Sequence, residues 1–129
     1  MAEIASDEWL AALVRTSAAT PETPGVAGSV SFTVENSPAG KVGWTETIEN
    51  GVTVSAAAPA SKGADIALIA KFQELVAMLE GGSNPAVMFM QGRLKLTGDM
   101  GMFMTLLPAM MSEEAATGRA ELAAATDRG

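Results

Sequence analysis

The fold is decided by residues 84–101, which run NPAVMFMQGRLKLTGDMG. Asn84, followed by a proline, is a good helix cap, so a short helix is expected to begin there and to end at Gly92. The segment Arg93–Thr97 alternates polar and apolar side chains, which is typical of a half-buried strand. Asp99 then caps a second, strongly apolar helix. A helix, a strand and another helix therefore follow one another closely.

Upstream of this stretch, the pattern predicts four more strands. Apolar side chains alternate with serine and threonine from Gly28, and the same alternation resumes after a turn segment. Asn50-Gly51 is a strong signal for a tight hairpin, because both central positions of that turn favour a positive φ. The four predicted strands are Gly28–Glu35, residues 42–48, Val52–Ala57 and Ala64–Ile69.

Apolar residues recur at helical spacing in two other segments, which we predict to be helices at Asp7–Ala18 and Phe72–Leu79. The tail 112–129 is rich in alanine and glutamate, and Leu122 is its only large apolar residue, so a weakly docked helix is expected there. The chain has 129 residues, which suits one domain covering 1–129. Strands, helices and a returning strand together predict an α+β fold.

Composition excludes most catalytic chemistry. The chain has no cysteine and no histidine, which removes thiol nucleophiles, Ser-His triads and the commonest ligands of transition metals. Only carboxylates and lysines remain for acid–base work, and no pair of carboxylates can be defended from spacing. We therefore predict that the protein is not an enzyme, that it has no catalytic residues, and that it uses no metal and no cofactor.

Charge and hydropathy limit the partners. The net charge is −7 and the eight basic residues are scattered, which disfavours nucleic acid and anionic membrane surfaces. The longest apolar stretch, Met100–Met111, is far shorter than the roughly 20 residues that cross a bilayer, so no stable membrane insertion is expected. The N-terminus lacks the features of a signal peptide, which predicts a cytoplasmic protein.

Methionine is concentrated in one part of the chain. Eight of the nine methionines lie between Met78 and Met111. Methionine is flexible and polarizable, so it suits either a core filler or an adaptable binding surface, and composition alone favours the core. The helix at Met100–Leu107 carries no charge on any face, so we expect it to be covered nearly all round. Either a partner chain or a cavity with a ligand could cover the surplus apolar surface.

Residues 84–101 resemble the signature of the sterol carrier protein type two family, in which a short helix, a glycine, a basic strand, Gly-Asp and an apolar helix occur in that order. The elements upstream also fall in the family's order, so the resemblance spans about residues 9–111. It implies a five-stranded, mostly antiparallel sheet with helices packed on one face, enclosing an apolar cavity. It also implies binding, and in some members transfer, of sterols, fatty acyl chains or related lipids, here in a bacterial stand-alone form.

A hydrophobic small molecule or lipid is therefore the partner that we expect. The alternative is an interaction module, such as a homodimer, that buries the methionines without a ligand. Arg93 and Lys95 could meet a lipid head group, although solvated strand residues are the more common case. We predict that twelve apolar residues bind the ligand: Phe72, Val76, Val87, Met88, Met90, Leu94, Leu96, Met100, Phe103, Met104, Leu107 and Met111.

Overall fold

The computed structural model describes all 129 residues and contains five strands and five helices. The strands are β1 (Gly28–Ser37), β2 (Gly40–Glu49), β3 (Val52–Ala57), β4 (Ile66–Lys71) and β5 (Lys95–Gly98). The helices are α1 (Asp7–Ser17), α2 (Phe72–Leu79), α3 (Pro85–Met90), α4 (Met100–Met110) and α5 (Glu113–Ala124). The predicted α+β class is confirmed.

The five strands form one mixed sheet in the order β3-β2-β1-β4-β5. Three of its four strand pairs are antiparallel, and only β1 and β4 run parallel. The parallel pair arises because the hairpins put β2 and β3 on one side of β1, so that β4 must cross over to reach the other side. The predicted mostly antiparallel sheet is therefore confirmed.

One face of the sheet is apolar and is covered by the helices. Register places Val30 opposite Glu46 and Ile66, and Phe32 opposite Trp44 and Leu68, so these side chains share a face. All except Glu46 belong to the buried core. The other face carries the serines and threonines of β1. This division explains why the helices gather on one side only.

Two strands begin later than the sequence pattern predicts, and local hydrogen bonds give the reason. Asp65 was expected within the fourth strand, but its carboxylate accepts a bond of 2.9 Å from the backbone N–H of Ser29, and β4 begins one residue later. Arg93 and Leu94 were expected within the fifth strand, but both donate their backbone N–H groups to the carbonyl of Met88 at the end of α3. These bonds delay the start of β5 to Lys95.

Within the single chain, the helix that begins at Met100 is covered on one side only, and its further coverage by a ligand or a partner stays a prediction. Only Phe103 and Leu106 of α4 are buried, whereas Met100 and Met104 are exposed. The helix also extends past Leu107 to Met110, with Pro108 inside its last turn. An apolar helix therefore lies at the surface with one side against the core.

The C-terminal helix α5 is capped at its N-terminus and is attached to the N-terminal part of the chain just beyond its C-terminus. Ser112 caps it by accepting a hydrogen bond from the backbone of Ala115. Beyond its last turn, the Thr126 hydroxyl accepts a 2.9 Å bond from the indole of Trp9, and both residues are buried. The backbone around Thr126 also pairs with Ala2. The weak docking that we predict for this helix stays a prediction.

Candidate ligand-binding cavity

A cavity of about 180 Å³ lies between the apolar face of the sheet and helices α1, α2, α4 and α5. Sixteen of the 24 residues that line it are hydrophobic, so its interior is suited to an apolar ligand. The hydrophobic lining residues are Trp9, Leu13, Val30, Phe32, Trp44, Ile48, Ile66, Leu68, Leu75, Met78, Leu79, Phe103, Leu106, Met110, Ala115 and Leu122.

Three aromatic rings form part of the cavity wall. The ring of Trp44 stacks on Phe32 with 5.1 Å between centroids and meets Trp9 edge-on at 4.8 Å. Both contacts fall within the range of favourable aromatic pairs. The three rings come from β1, β2 and α1, so they join the sheet to the first helix. This part of the wall is therefore fixed by mutual packing.

Helix α4 contributes the opposite wall through one stripe of side chains. Phe103, Leu106 and Met110 lie three and four positions apart and therefore share a face of the helix. Phe103 also contacts Phe89 of α3, with 5.4 Å between ring centroids. The methionines at 100 and 104 lie on the exposed side. Helix α4 thus separates the cavity from an exposed apolar surface.

Of the twelve residues predicted to bind the ligand, Phe103 lines this cavity. Three others are buried in the core outside its lining, namely Phe72, Met88 and Leu94. Three are partly buried against the core, namely Val76, Leu96 and Leu107. Five are exposed, namely Val87, Met90, Met100, Met104 and Met111. Contact between these residues and a ligand stays a prediction.

Two charged residues that were not predicted line the cavity, Glu46 and Arg119. A signal for Glu46 was present, because alternation in the second strand places it on the same face as Trp44 and Ile48. A carboxylate on the apolar face of a strand is unusual and points to a special environment. Arg119 precedes Leu122 by three positions, which puts both side chains on one face of α5.

Glu46 is held by two hydrogen bonds at the cavity wall. Its Oε2 accepts from Trp44 Nε1 at 2.9 Å, and its Oε1 accepts from Thr53 Oγ1 at 2.7 Å. Glu46 is partly buried and belongs to the cavity lining. Burial raises the pKa of Glu46, while the bonds from Thr53 and Trp44 act in the opposite direction. The neutral acid is therefore favoured more than in an exposed glutamate.

Arg119 is half-buried at the junction of α5, α4 and the cavity. Its Nη1 donates to the carbonyl oxygen of Met110 at 2.7 Å, and it makes no other hydrogen bond within the protein. The two ion pairs of the structure involve Arg93 with Glu74 and Arg128 with Glu80. Burial lowers the pKa of Arg119, but a guanidinium remains protonated at neutral pH. The cavity therefore contains one cation that no carboxylate neutralises.

We expect Glu46→Gln to change the pH dependence of stability. In the wild type, the folded state retains a proton that the unfolded state releases as pH rises above the ordinary pKa of glutamate. The unfolding free energy therefore falls across that window, up to the raised pKa of the folded state. Glutamine does not ionise, and its amide can accept from Trp44 and donate to Thr53. Urea unfolding measured from about pH 4 upward should therefore show the variant gaining stability relative to wild type as the pH rises.

Glu49→Gln provides the control, because it removes an exposed carboxyl from the same strand. Its stability difference from wild type should vary less with pH than that of the Glu46 variant. A Glu46→Gln difference that stays constant over this pH range would show that the folded protein does not favour the protonated carboxyl.

No group of three or more histidine, cysteine, aspartate or glutamate side chains could hold a metal ion. No helix has the length and apolar composition needed to cross a membrane. Chemically, the cavity offers an apolar interior with a few polar groups at its wall, including the hydroxyls of Thr16, Ser17 and Thr20. This arrangement suits a ligand with an apolar body and a polar end.

Comparison with known proteins identifies a family whose members resemble this chain. The profile of the SCP-2 sterol transfer family matches residues 8–110. Sterol carrier protein 2 of Gallus gallus is 35% identical over 82 residues, which are 63% of this chain and 15% of that protein. The corresponding protein of Homo sapiens is 34% identical over the same length. The chain thus aligns with only a small part of these curated relatives.

Solved structures show the same fold. A crystal structure of sterol carrier protein 2 has a TM-score of 0.72 and 20% identity, covering 92% of this chain and 98% of the other. The solution structure of a conserved hypothetical protein from Thermus thermophilus has a TM-score of 0.73 and 21% identity, covering 93% and 90% of the two chains. At these identities the likeness concerns the architecture alone.

Proposed function

The chain belongs to the SCP-2 sterol transfer family, and from this premise we propose that it binds a hydrophobic ligand in the cavity beneath the sheet. The ligand is a sterol, a fatty acyl chain or a related lipid. The observation that carries the proposal is the apolar cavity itself, which is walled by the sheet and four helices and lined by 16 hydrophobic residues. A hydrocarbon ligand that covers this apolar wall removes its surface from water, which lowers the free energy.

The volume of the cavity sets a condition on the ligand. Pockets for small molecules generally measure about 300–1,000 Å³, whereas an engineered apolar cavity of about 150 Å³ in another protein binds benzene. The present cavity, at about 180 Å³, is close to the smaller size. A complete sterol or long acyl chain therefore requires the walls to move apart.

Helix α5 is the wall that we propose to move. It contributes Ala115, Gly118, Arg119 and Leu122 to the cavity, and of these only Leu122 is a large apolar side chain. Its displacement therefore exposes less apolar surface than displacement of α2 or α4 would. Amide hydrogen exchange in α5, compared with and without ligand, reports on this movement.

We further propose that the protein acts as a carrier without catalysing a reaction, and that it works in the cytoplasm. The chemistry of the cavity supports the first point. Its ionisable groups are one carboxyl and one guanidinium, and the carboxyl of Glu46 is bonded to the Trp44 indole and the Thr53 hydroxyl without a histidine or a metal site beside it.

Native mass spectrometry of protein purified without detergent tests the binding proposal. We expect a population with one lipid-sized mass per chain, which organic extraction removes. A fluorescent lipid transferred between donor and acceptor vesicles then tests for carriage, with protein concentration as the variable. Failure to find any co-purified or added lipid bound at one site per chain would refute the proposed function.

A homodimer is the alternative that the sequence left open. It would bury the exposed methionines of α3 and α4, of which Met90 is 82% exposed and Met104 is 53% exposed. Membership of the family supports the carrier instead. Sedimentation velocity over a wide concentration range separates the two, since only the dimer predicts a mass that rises with concentration and falls after Met90→Lys.

A further inference from the structure

Arg119 has hydrogen-bonding capacity that the protein does not use. A guanidinium carries five N–H donors, and in Arg119 only one of them, on Nη1, bonds to the protein. Every side-chain nitrogen or oxygen that is fully enclosed in this structure has a partner. The free nitrogens of Arg119 therefore keep accessible surface, and the residue lines the cavity.

The positive charge of Arg119 is also not paired with a nearby carboxylate. No carboxylate oxygen lies within 4.0 Å of its guanidinium, because the ion pairs of the protein involve other residues. Glu46 is the only acidic residue in the cavity wall, and both of its oxygens already accept hydrogen bonds from Trp44 and Thr53. Burial also raises the pKa of Glu46, which weakens it as an anionic partner. The cavity wall is therefore electropositive at Arg119.

Arg119 lies where polar residues of the cavity wall meet apolar ones. Its neighbour Gly118 lies against the backbone of Thr16 in α1. Ser17 and Thr20, which carry hydroxyls and follow Thr16 by one and four positions, also line the cavity. Leu122, on the same face of α5 as Arg119, and Phe103 of α4 are apolar residues of the same cavity wall. A ligand that fits has a charged or strongly polar end on one side and hydrocarbon on the other.

Building on the proposed function, we infer that Arg119 binds the anionic end of the ligand, so that the cavity selects acyl anions over uncharged lipids of the same length. A guanidinium matches the two oxygens of a carboxylate, and it binds phosphate oxygens in a similar way. Arg119 is then the residue that determines specificity. The aromatic and aliphatic walls take the hydrocarbon part without distinguishing one chain from another.

Three ligands that share one alkyl chain test this inference on the wild-type protein. Dodecanoate, dodecyl phosphate and dodecanol are each titrated at neutral pH against protein loaded with the uncharged probe N-phenylnaphthylamine, and probe displacement gives the dissociation constants. We expect the two anions to bind about 10- to 100-fold more tightly than the alcohol, since hydrogen bonds to charged groups contribute that much. The stronger anion identifies whether carboxylate or phosphate is the preferred end group.

Two variants assign the preference to Arg119. Arg119→Gln should lose the advantage of the anions and bind all three ligands within about threefold of the wild-type value for dodecanol, whereas Arg119→Lys should keep part of it. Arg15→Gln is the matched control, because it removes an exposed arginine that has no ion pair. It should leave the anion preference unchanged. Circular dichroism establishes that each variant is folded before titration.

The outcomes separate this inference from the proposed function. If dodecanol displaces the probe as well as dodecanoate does, or if Arg119→Gln keeps the preference, the assignment to Arg119 is wrong while lipid binding stands. An equal loss of anion preference in Arg15→Gln would mean that overall charge acts instead, which also overturns the assignment. If neither the probe nor any of the three ligands binds, the proposed function fails together with the inference.

Discussion

Leu106→Trp is expected to lower the affinity for a hydrophobic ligand by at least about tenfold while the protein stays folded. Leu106 is only 6% exposed and projects from α4 into the cavity, so an indole at this position takes up space that the ligand needs. The cavity of about 180 Å³ accommodates the larger ring, which limits the destabilisation. Probe titration measures the affinity, and urea unfolding measures the stability.

Met104→Trp is the control for this experiment, because Met104 lies on the same helix but is 53% exposed. It should bind the probe as the wild type does. The opposite pattern, with affinity lost in Met104→Trp and kept in Leu106→Trp, would place the ligand on the exposed apolar side of α4. That result would favour the predicted contacts at Met100 and Met104 over the cavity.

Gly118→Ala should destabilise the protein by about 1–3 kcal/mol, although alanine normally favours a helix. A β-carbon at position 118 would lie 2.5 Å from the backbone carbonyl oxygen of Thr16, and a backbone atom cannot move aside as a flexible side chain can. Helix α5 must then shift away from α1, which opens the cavity. We expect faster amide exchange in α5 together with the lower unfolding free energy.

Gly101→Ala makes the same chemical change in α4 and should have the opposite sign. A β-carbon there would meet its nearest neighbour, a carboxylate oxygen of Asp99, at 3.4 Å, which is ordinary contact. The gain in helix propensity, up to about 1 kcal/mol, should then remain. Equal effects at the two glycines would show that close packing of α5 on α1 does not control stability.

The sequence predicted the order of all strands and helices because their patterns are local. Alternation in β1 and the cap residues Ser112 and Asp99 are visible within a few positions, and the structure confirms both caps. Strand boundaries were less certain, since the start of β4 depends on a bond between Asp65 and Ser29, which lie 36 positions apart. A non-local contact of this kind leaves no periodic signal.

The cavity wall could be predicted only in small part for the same reason. Apolar content drew attention to the region 72–111, yet the wall also needs the strand residues and α1, which meet α4 only through the tertiary fold. Methionine content did not distinguish the buried side of α4 from the exposed one. Arg119 could not be recognised either, because its importance lies in the absence of a nearby carboxylate.

Ligand binding in the cavity can be followed through the spectra of the two tryptophans that meet edge-on in its wall. Trp9 and Trp44 are the only tryptophans of the chain, there is no tyrosine, and each is 1% exposed. At 4.8 Å between ring centroids their electronic transitions couple, and this coupling depends on the angle between the rings. A ligand that tilts either indole will therefore alter the near-ultraviolet circular dichroism and the emission colour. Binding can therefore be measured with unlabelled protein, even for ligands that carry no chromophore.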